Sequence, residues 1–135
     1  MFDNCLYFNM NILVRELNRI WEEEFIKIGL SPSHGYLLSI VLSRPGITQK
    51  VVAEAMRLKP STISRFIDTL VGKGYILRQQ QGKGSLLYPT GRAVSAQYEL
   101  EDTIKNLHEQ LYQKTSQAET EGLLNKMLCY YQKLK

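Results

Sequence analysis

A chain of 135 residues is the size of one compact domain, or of one small lobe with flanking helices. Its composition, 44% hydrophobic and 22% charged, is that of an ordinary globular protein. No apolar stretch approaches the roughly 20 residues needed to cross a bilayer, which excludes a single-helix membrane anchor.

The opening Met1-Phe2-Asp3-Asn4 has no basic run ahead of an apolar core, so no signal peptide is expected. Cys5 and Cys129 stand 124 positions apart and make neither a disulfide framework nor a metal site. A cytoplasmic protein with reduced thiols, no metal and no other cofactor is the expectation.

The net charge of +4 is unevenly spread. Between Arg44 and Arg92 lie nine basic residues (Arg44, Lys50, Arg57, Lys59, Arg65, Lys73, Arg78, Lys83 and Arg92) against two acids, Glu54 and Asp68, a local charge of +7. Residues 1–43 carry −2 and residues 93–135 carry −1. A basic middle in a neutral-to-acidic frame fits a polyanionic partner met by the middle alone; a solvated lysine-rich face is the plainer alternative.

Residues 6–28 place Leu6, Met10, Leu13, Leu17, Ile20, Trp21, Phe25 and Ile28 at spacings of three and four, which predicts one long amphipathic helix stopped at Gly29. Ser31-Pro32 reads as an N-cap with proline at the first helical position, opening a second helix to about Ser43. Arg44-Pro45-Gly46 breaks it. Thr48 caps a short third helix with Val51, Val52, Ala55 and Met56 inward.

Pro60 opens a fourth helix to about Gly72, with Ile63, Phe66, Ile67 and Leu70 as its buried stripe. Tyr75–Arg78 and Ser85–Tyr88 are strand candidates, joined through Gln79–Gly84 into a hairpin. Pro89 starts a long helix through Ala93, Tyr98, Ile104, Leu107 and Leu111. The pattern breaks at Thr115-Ser116, and a last helix uses Leu123, Leu124, Met127, Leu128, Tyr131 and Leu134, with Cys129 in its stripe. His108 is read as a surface residue.

Three helices and a hairpin across residues 31–88 make a winged helix-turn-helix, so the fold class is mainly α with a small two-stranded β-wing. A short helix followed at a steep angle by a second lets the second enter a major groove about 12 Å wide. The helix from Pro60 suits that part: Ser61, Thr62, Ser64, Arg65 and Thr69 face outward, and Arg65 is able to fork onto a guanine edge or a phosphate. Lys59 precedes it. Thr48, Gln49 and Lys50 are placed to hold phosphates at the start of the preceding helix. Arg78 and Lys83 flank and tip the hairpin, where a cation is within reach of a minor groove or a backbone.

The ordered combination of these segments resembles the MarR/SlyA family of winged-helix regulators. The residues that carry the resemblance are Gly29-Leu30-Ser31-Pro32-Ser33-His34, Ile47-Thr48-Gln49-Lys50 with Ala53-Glu54, Lys59 through Leu70, Gly74 through Arg78, and Thr90-Gly91-Arg92-Ala93. The resemblance implies a homodimer that reads pseudo-palindromic double-stranded DNA, acts as a repressor, and is released by a small ligand or an oxidant. The chain departs from the family in two places. Family wings are longer and carry an aspartate and an arginine near the tip, where this hairpin has only Lys83 between glycines. The family's threonine at the start of the fifth helix aligns with Tyr88.

Apolar stripes such as Leu13/Leu17/Trp21 and Leu124/Met127/Tyr131 exceed what a three-helix lobe can cover, so pairing with a second copy is expected, with an intramolecular bundle as the alternative. The expected organisation is an N-terminal dimerisation helix over residues 1–30, the winged lobe over 31–88 and C-terminal dimerisation helices over 89–135. Two switches are conceivable from the resemblance. Members that bind aromatic or phenolic acids do so between the dimer helices and the lobe, where Arg15, His34 and Tyr36 are candidates. Peroxide-sensing members carry an early cysteine that aligns with Tyr7, two places after Cys5, so a thiol-based redox regulator using Cys5 is an alternative.

An enzyme is not expected: there is no glycine-rich phosphate loop, nucleophile elbow or metal-ligand spacing. A winged-helix module that binds protein instead of DNA is the remaining rival.

Overall fold

The structure, a computed structural model, describes all residues from Met1 to Lys135. It is mainly helical with one small antiparallel sheet, and no single helix is long and apolar enough to cross a membrane. Helix α1 runs Leu6–Phe25 and gives way to a 3-10 turn, Ile26–Ile28. The chain reverses at Gly29, in the left-handed region at φ 73°, one turn earlier in character than an uninterrupted helix to residue 28 would have it.

Helix α2, Pro32–Ser43, starts as its sequence dictates. The Ser31 hydroxyl accepts the His34 amide N–H at 3.2 Å, and Pro32 occupies the first position. Leu37, Leu38 and Val41 of α2 are fully buried, and Gly35 lets it approach α1 closely: a methyl group at Gly35 would lie 2.3 Å from the ring of Phe25. Close crossing of this kind needs glycine.

A strand that the sequence does not announce follows. β1 is only Ile47–Thr48, yet it makes the sheet three-stranded. The wing proper is β2, Ile76–Gln81, and β3, Gly84–Pro89; β3 lies in the middle, with Ile47 opposite Leu87 on one side and Ile76 opposite Pro89 on the other. The expected six-residue link is therefore mostly strand. Pairing continues to Gln81 and Gly84, and the turn is Gly82-Lys83, with Gly82 at φ 56°. A two-residue hairpin turn demands positive φ, which glycine supplies without strain.

Between β1 and the wing stand α3, Gln49–Met56, and α4, Pro60–Gly72. Thr48 caps α3 by accepting the Val51 N–H at 3.2 Å. Of the expected inward residues of α3, Val52 is buried and Val51 and Met56 are half-buried, whereas Ala55 is exposed and Ala53 is buried in its stead. In α4, Ile63, Ile67 and Leu70 are fully buried and Phe66 half-buried. Each fully buried side chain of this size contributes about 1.5–3 kcal/mol.

Helix α5, Gly91–Lys114, begins two residues later than Pro89. Its cap is Thr90, whose hydroxyl accepts the Ala93 N–H at 3.3 Å and donates to the Gly74 carbonyl at 2.6 Å. The threonine at this helix start is thus Thr90 and not a counterpart of Tyr88. Helix α6, Gln117–Leu134, is capped by Ser116, which accepts the Glu119 N–H at 3.0 Å. None of its residues is buried, Cys129 included, so the expected core position of that cysteine is corrected to an exposed one. His108 is half-buried, its Nδ1 2.9 Å from the Ile104 carbonyl oxygen.

The chain divides into two compact units, Met1–Thr103 and Ile104–Lys135. The first holds α1, the winged lobe and the first part of α5; the second holds the rest of α5 and α6. The boundary falls inside α5 and differs from division into residues 1–30, 31–88 and 89–135.

Candidate nucleic-acid interface

Of the nine cations between Arg44 and Arg92, Arg57 is engaged within the chain, and the other eight fall into two groups. Three are bound within the chain. Lys73, just after α4, donates to the Gly29 carbonyl at 3.1 Å, tying the end of α4 to the bend after α1. Arg92 donates to the Lys73 carbonyl and lays its guanidinium 4.5 Å from the centre of the Tyr75 ring. Arg78 leaves β2 for α4: its Nη2 lies 2.8 Å from the Asp68 carboxylate and 3.5 Å from the Ser64 carbonyl.

Five others, Arg44, Lys50, Lys59, Arg65 and Lys83, are exposed and form no hydrogen bond or ion pair inside the molecule. They sit at the end of α2, in the first turn of α3, at the N-cap and on the outer face of α4, and in the wing turn. These are the loci from which a winged lobe presents charge to one surface. A partnerless cation keeps its full attraction for an external anion, whereas one neutralised by a carboxylate does not.

Helix α4 adds hydrogen-bonding groups. Lys59 at its N-cap provides no side-chain cap and Pro60 has no N–H, so the backbone N–H groups of Ser61 and Thr62 point out of the helix start with no cap upon them. The hydroxyls of Ser61, Thr62 and Ser64 form no bond within the chain, while the Thr69 hydroxyl donates to the Arg65 carbonyl at 3.2 Å. The Thr48 oxygen is engaged in its cap but its hydroxyl proton remains free to donate. Gln49 is half-buried beside it.

The candidates for a switch are not gathered. Arg15 lines an open cleft along α1 with Asn18, Arg19, Glu22, Glu23 and Ile26, where Arg19 is paired with Glu16 and Glu23. Tyr36 accepts the Trp21 indole N–H at 3.1 Å and packs its ring 5.8 Å from that of Phe25. His34 faces elsewhere: Nδ1 lies 2.7 Å from the Ser31 hydroxyl, and the ring meets Phe66 of α4 edge-on at 5.0 Å. Burial, and secondarily the positive charge of Lys73, hold the His34 pKa below its ordinary value. Cys5 is the exposed N-cap of α1 and makes no side-chain capping bond. No group of three or more His, Cys, Asp or Glu side chains gathers to hold a metal ion.

Sequence reasoning picked out the exposed cations and the α4 face but missed Asp68 as the partner of Arg78, ten residues away on another element. Only the lone acid on an outward face of a basic helix hinted at it.

Residues 30–82 match the model of the MarR family. No curated protein matches the sequence. Among solved structures, the chain is similar to the transcriptional regulator SlyA, with 22% identity and a TM-score of 0.80 over 96% of this chain and 94% of that one. It is similar to S. aureus MepR in its DNA complex, at 16% identity and TM-score 0.85 over 96% and 98% of the two chains. It also resembles CouR from Rhodococcus jostii RHA1 bound to p-coumaroyl-CoA, at 17% identity and TM-score 0.78 over 99% and 94%. At such identities the likeness is one of fold. Residues 30–82 are thus similar to the MarR family, and the chain as a whole shares the fold of these solved structures.

Proposed function

We infer that the chain is a MarR-type transcriptional regulator that binds double-stranded DNA as a homodimer and represses by occupying its operator. The observation that carries this reading is the set of five exposed, partnerless cations, Arg44, Lys50, Lys59, Arg65 and Lys83, distributed over α2, α3, α4 and the wing turn of one lobe. In this reading α4 enters the major groove, Arg65 contacts a base edge with Ser61, Thr62, Ser64 and Thr69 close to the duplex, and Thr48, Gln49, Lys50 and Lys59 hold phosphates. Arg78, engaged by Asp68, acts as a positioning residue that fixes the wing against α4.

Dimerisation has its own support. Leu6, Ile12, Leu13 and Val14 of α1 and Leu123, Leu124, Met127 and Leu128 of α6 are exposed, more apolar surface than a lone chain leaves uncovered. A second copy covers it and sets two α4 helices for major-groove segments about 34 Å apart. Release by a small aromatic or phenolic effector is the switch in this reading, supported by the similarity to CouR, solved with p-coumaroyl-CoA. An open cleft of about 210 Å³ lined by Leu17, Asn18, Trp21 and Pro32, beside the Trp21–Tyr36 bond, is of a size for part of such a molecule.

Electrophoretic mobility with duplex DNA at several salt concentrations tests the central claim. Affinity should fall steeply with salt, with a slope of about −0.9 per phosphate contact. Arg65→Ala should weaken binding to a selected sequence by about 1–3 kcal/mol and binding to random duplex by less. No retention at any salt concentration would leave the lobe as a protein-binding module.

A further inference from the structure

The wing differs chemically from the rest of the interface. From Gln79 to Gly84 it carries three glutamines and one lysine, with no arginine. Alternation along β2 sets Ile76, Arg78 and Gln80 on one face and Leu77, Gln79 and Gln81 on the other. The first face closes on the lobe: Ile76 is buried, and Arg78 is bonded to Asp68 and Ser64 of α4. Gln80 is consumed by the turn, its amide donating to the Gly82 carbonyl at 3.2 Å. Gln79 and Gln81 remain exposed, and their amides have no partner in the chain. They are also held in place, because Gln79 pairs with Leu86 and Gln81 with Gly84 in an unbroken ladder, and the Arg78–Asp68 bond ties that ladder to α4.

We propose that Gln79 and Gln81 are specificity-determining residues, reading A·T pairs in the minor groove next to the segment occupied by α4 through uncharged amide hydrogen bonds. The inference rests on the DNA-binding reading above. In the minor groove A·T pairs offer only the acceptors N3 and O2, whereas a G·C pair projects its N2 amine into the groove. A glutamine amide brings two N–H donors to the acceptor floor, and the amine of a G·C pair both repels those donors and blocks approach. The groove is about 6 Å wide, and a ribbon ending in Gly82-Lys83-Gly84 is slim enough at its tip to enter. Because an amide displaces no condensed cation, this preference is independent of salt, unlike the contact made by Lys83.

The test uses the full-length protein and a duplex obtained by selection from a random library, remade with either A·T or G·C pairs flanking the α4 sites. Wild type should favour the A·T flanks about ten-fold, the worth of two hydrogen bonds of ordinary strength. The double variant Gln79→Ala/Gln81→Ala should lose that preference at low and high salt alike and keep the wild-type salt slope. Lys83→Ala should keep the preference and bind with a shallower slope. A preference that survives in the double variant, a wild type indifferent to the flanks, or a double variant whose slope falls as that of Lys83→Ala does would each overturn the assignment. Loss of binding to every duplex by the wild type would instead overturn the DNA-binding reading itself.

Discussion

Helices α4 and α6 are both amphipathic, both start at well-defined boundaries, and both carry a stripe of large apolar residues. In α4 the stripe, Ile63, Ile67 and Leu70, is wholly buried by the chain's own elements. In α6 Leu124 is 49% exposed and Leu128 52%, although Ser116 caps the helix as well as any in the molecule. Periodicity thus states that a face needs covering and leaves open what covers it. For α4 the cover is α2, the wing and the rest of one lobe; for α6 we infer a second copy.

That contrast can be broken by substitution. Ile67→Ala should lower stability by about 2–5 kcal/mol at every protein concentration, since it opens a cavity in a closed core. Leu128→Asp should leave the helical circular dichroism at high concentration little changed while the sedimenting species halves in mass and the unfolding midpoint ceases to depend on concentration. Equal, concentration-independent losses from both would mean that α6 is covered within one chain. Gly35→Ala comes next: its methyl must displace the Phe25 ring, and the overpacking should cost about 1–3 kcal/mol, read as a lower midpoint of thermal unfolding. An unchanged midpoint would show that α1 is free to retreat from α2.

The smallest effect concerns His34. Its pKa is lowered in the folded state by burial and by Lys73, so the unfolded chain binds the proton more readily. Stability is therefore full above pH 6.5, the ordinary histidine value, and falls as pH drops from there toward the folded pKa. His34→Gln should flatten the stability profile over that window. A profile identical to wild type would assign the pH dependence to other groups.

Helix order, caps at Ser31 and Thr48, the helix starts at Pro32 and Pro60 and the buried face of α4 were legible in the sequence, because each is written in neighbouring residues. Pro89 was not such a start, since it closes β3. β1 was not legible, because two residues carry no periodicity and Ile47 is a strand only through Leu87, forty positions on. The strand ends at Gln79–Gln81 were hidden for a related reason: polar on both faces, they hold their ladder by backbone alone. In the interface, charge counting found all nine cations but not the division among them. Whether a lysine is free depends on distant partners, as with Lys73 and Gly29, 44 residues apart.

That last bond has a mechanical consequence. The elbow after α1 is fastened to the end of α4 by Lys73, and the first turn of α2 that follows it meets the middle of α4 through the His34 ring against Phe66. The end of α1 and the middle and end of α4 are thus linked through contacts that neither helix makes with the other directly.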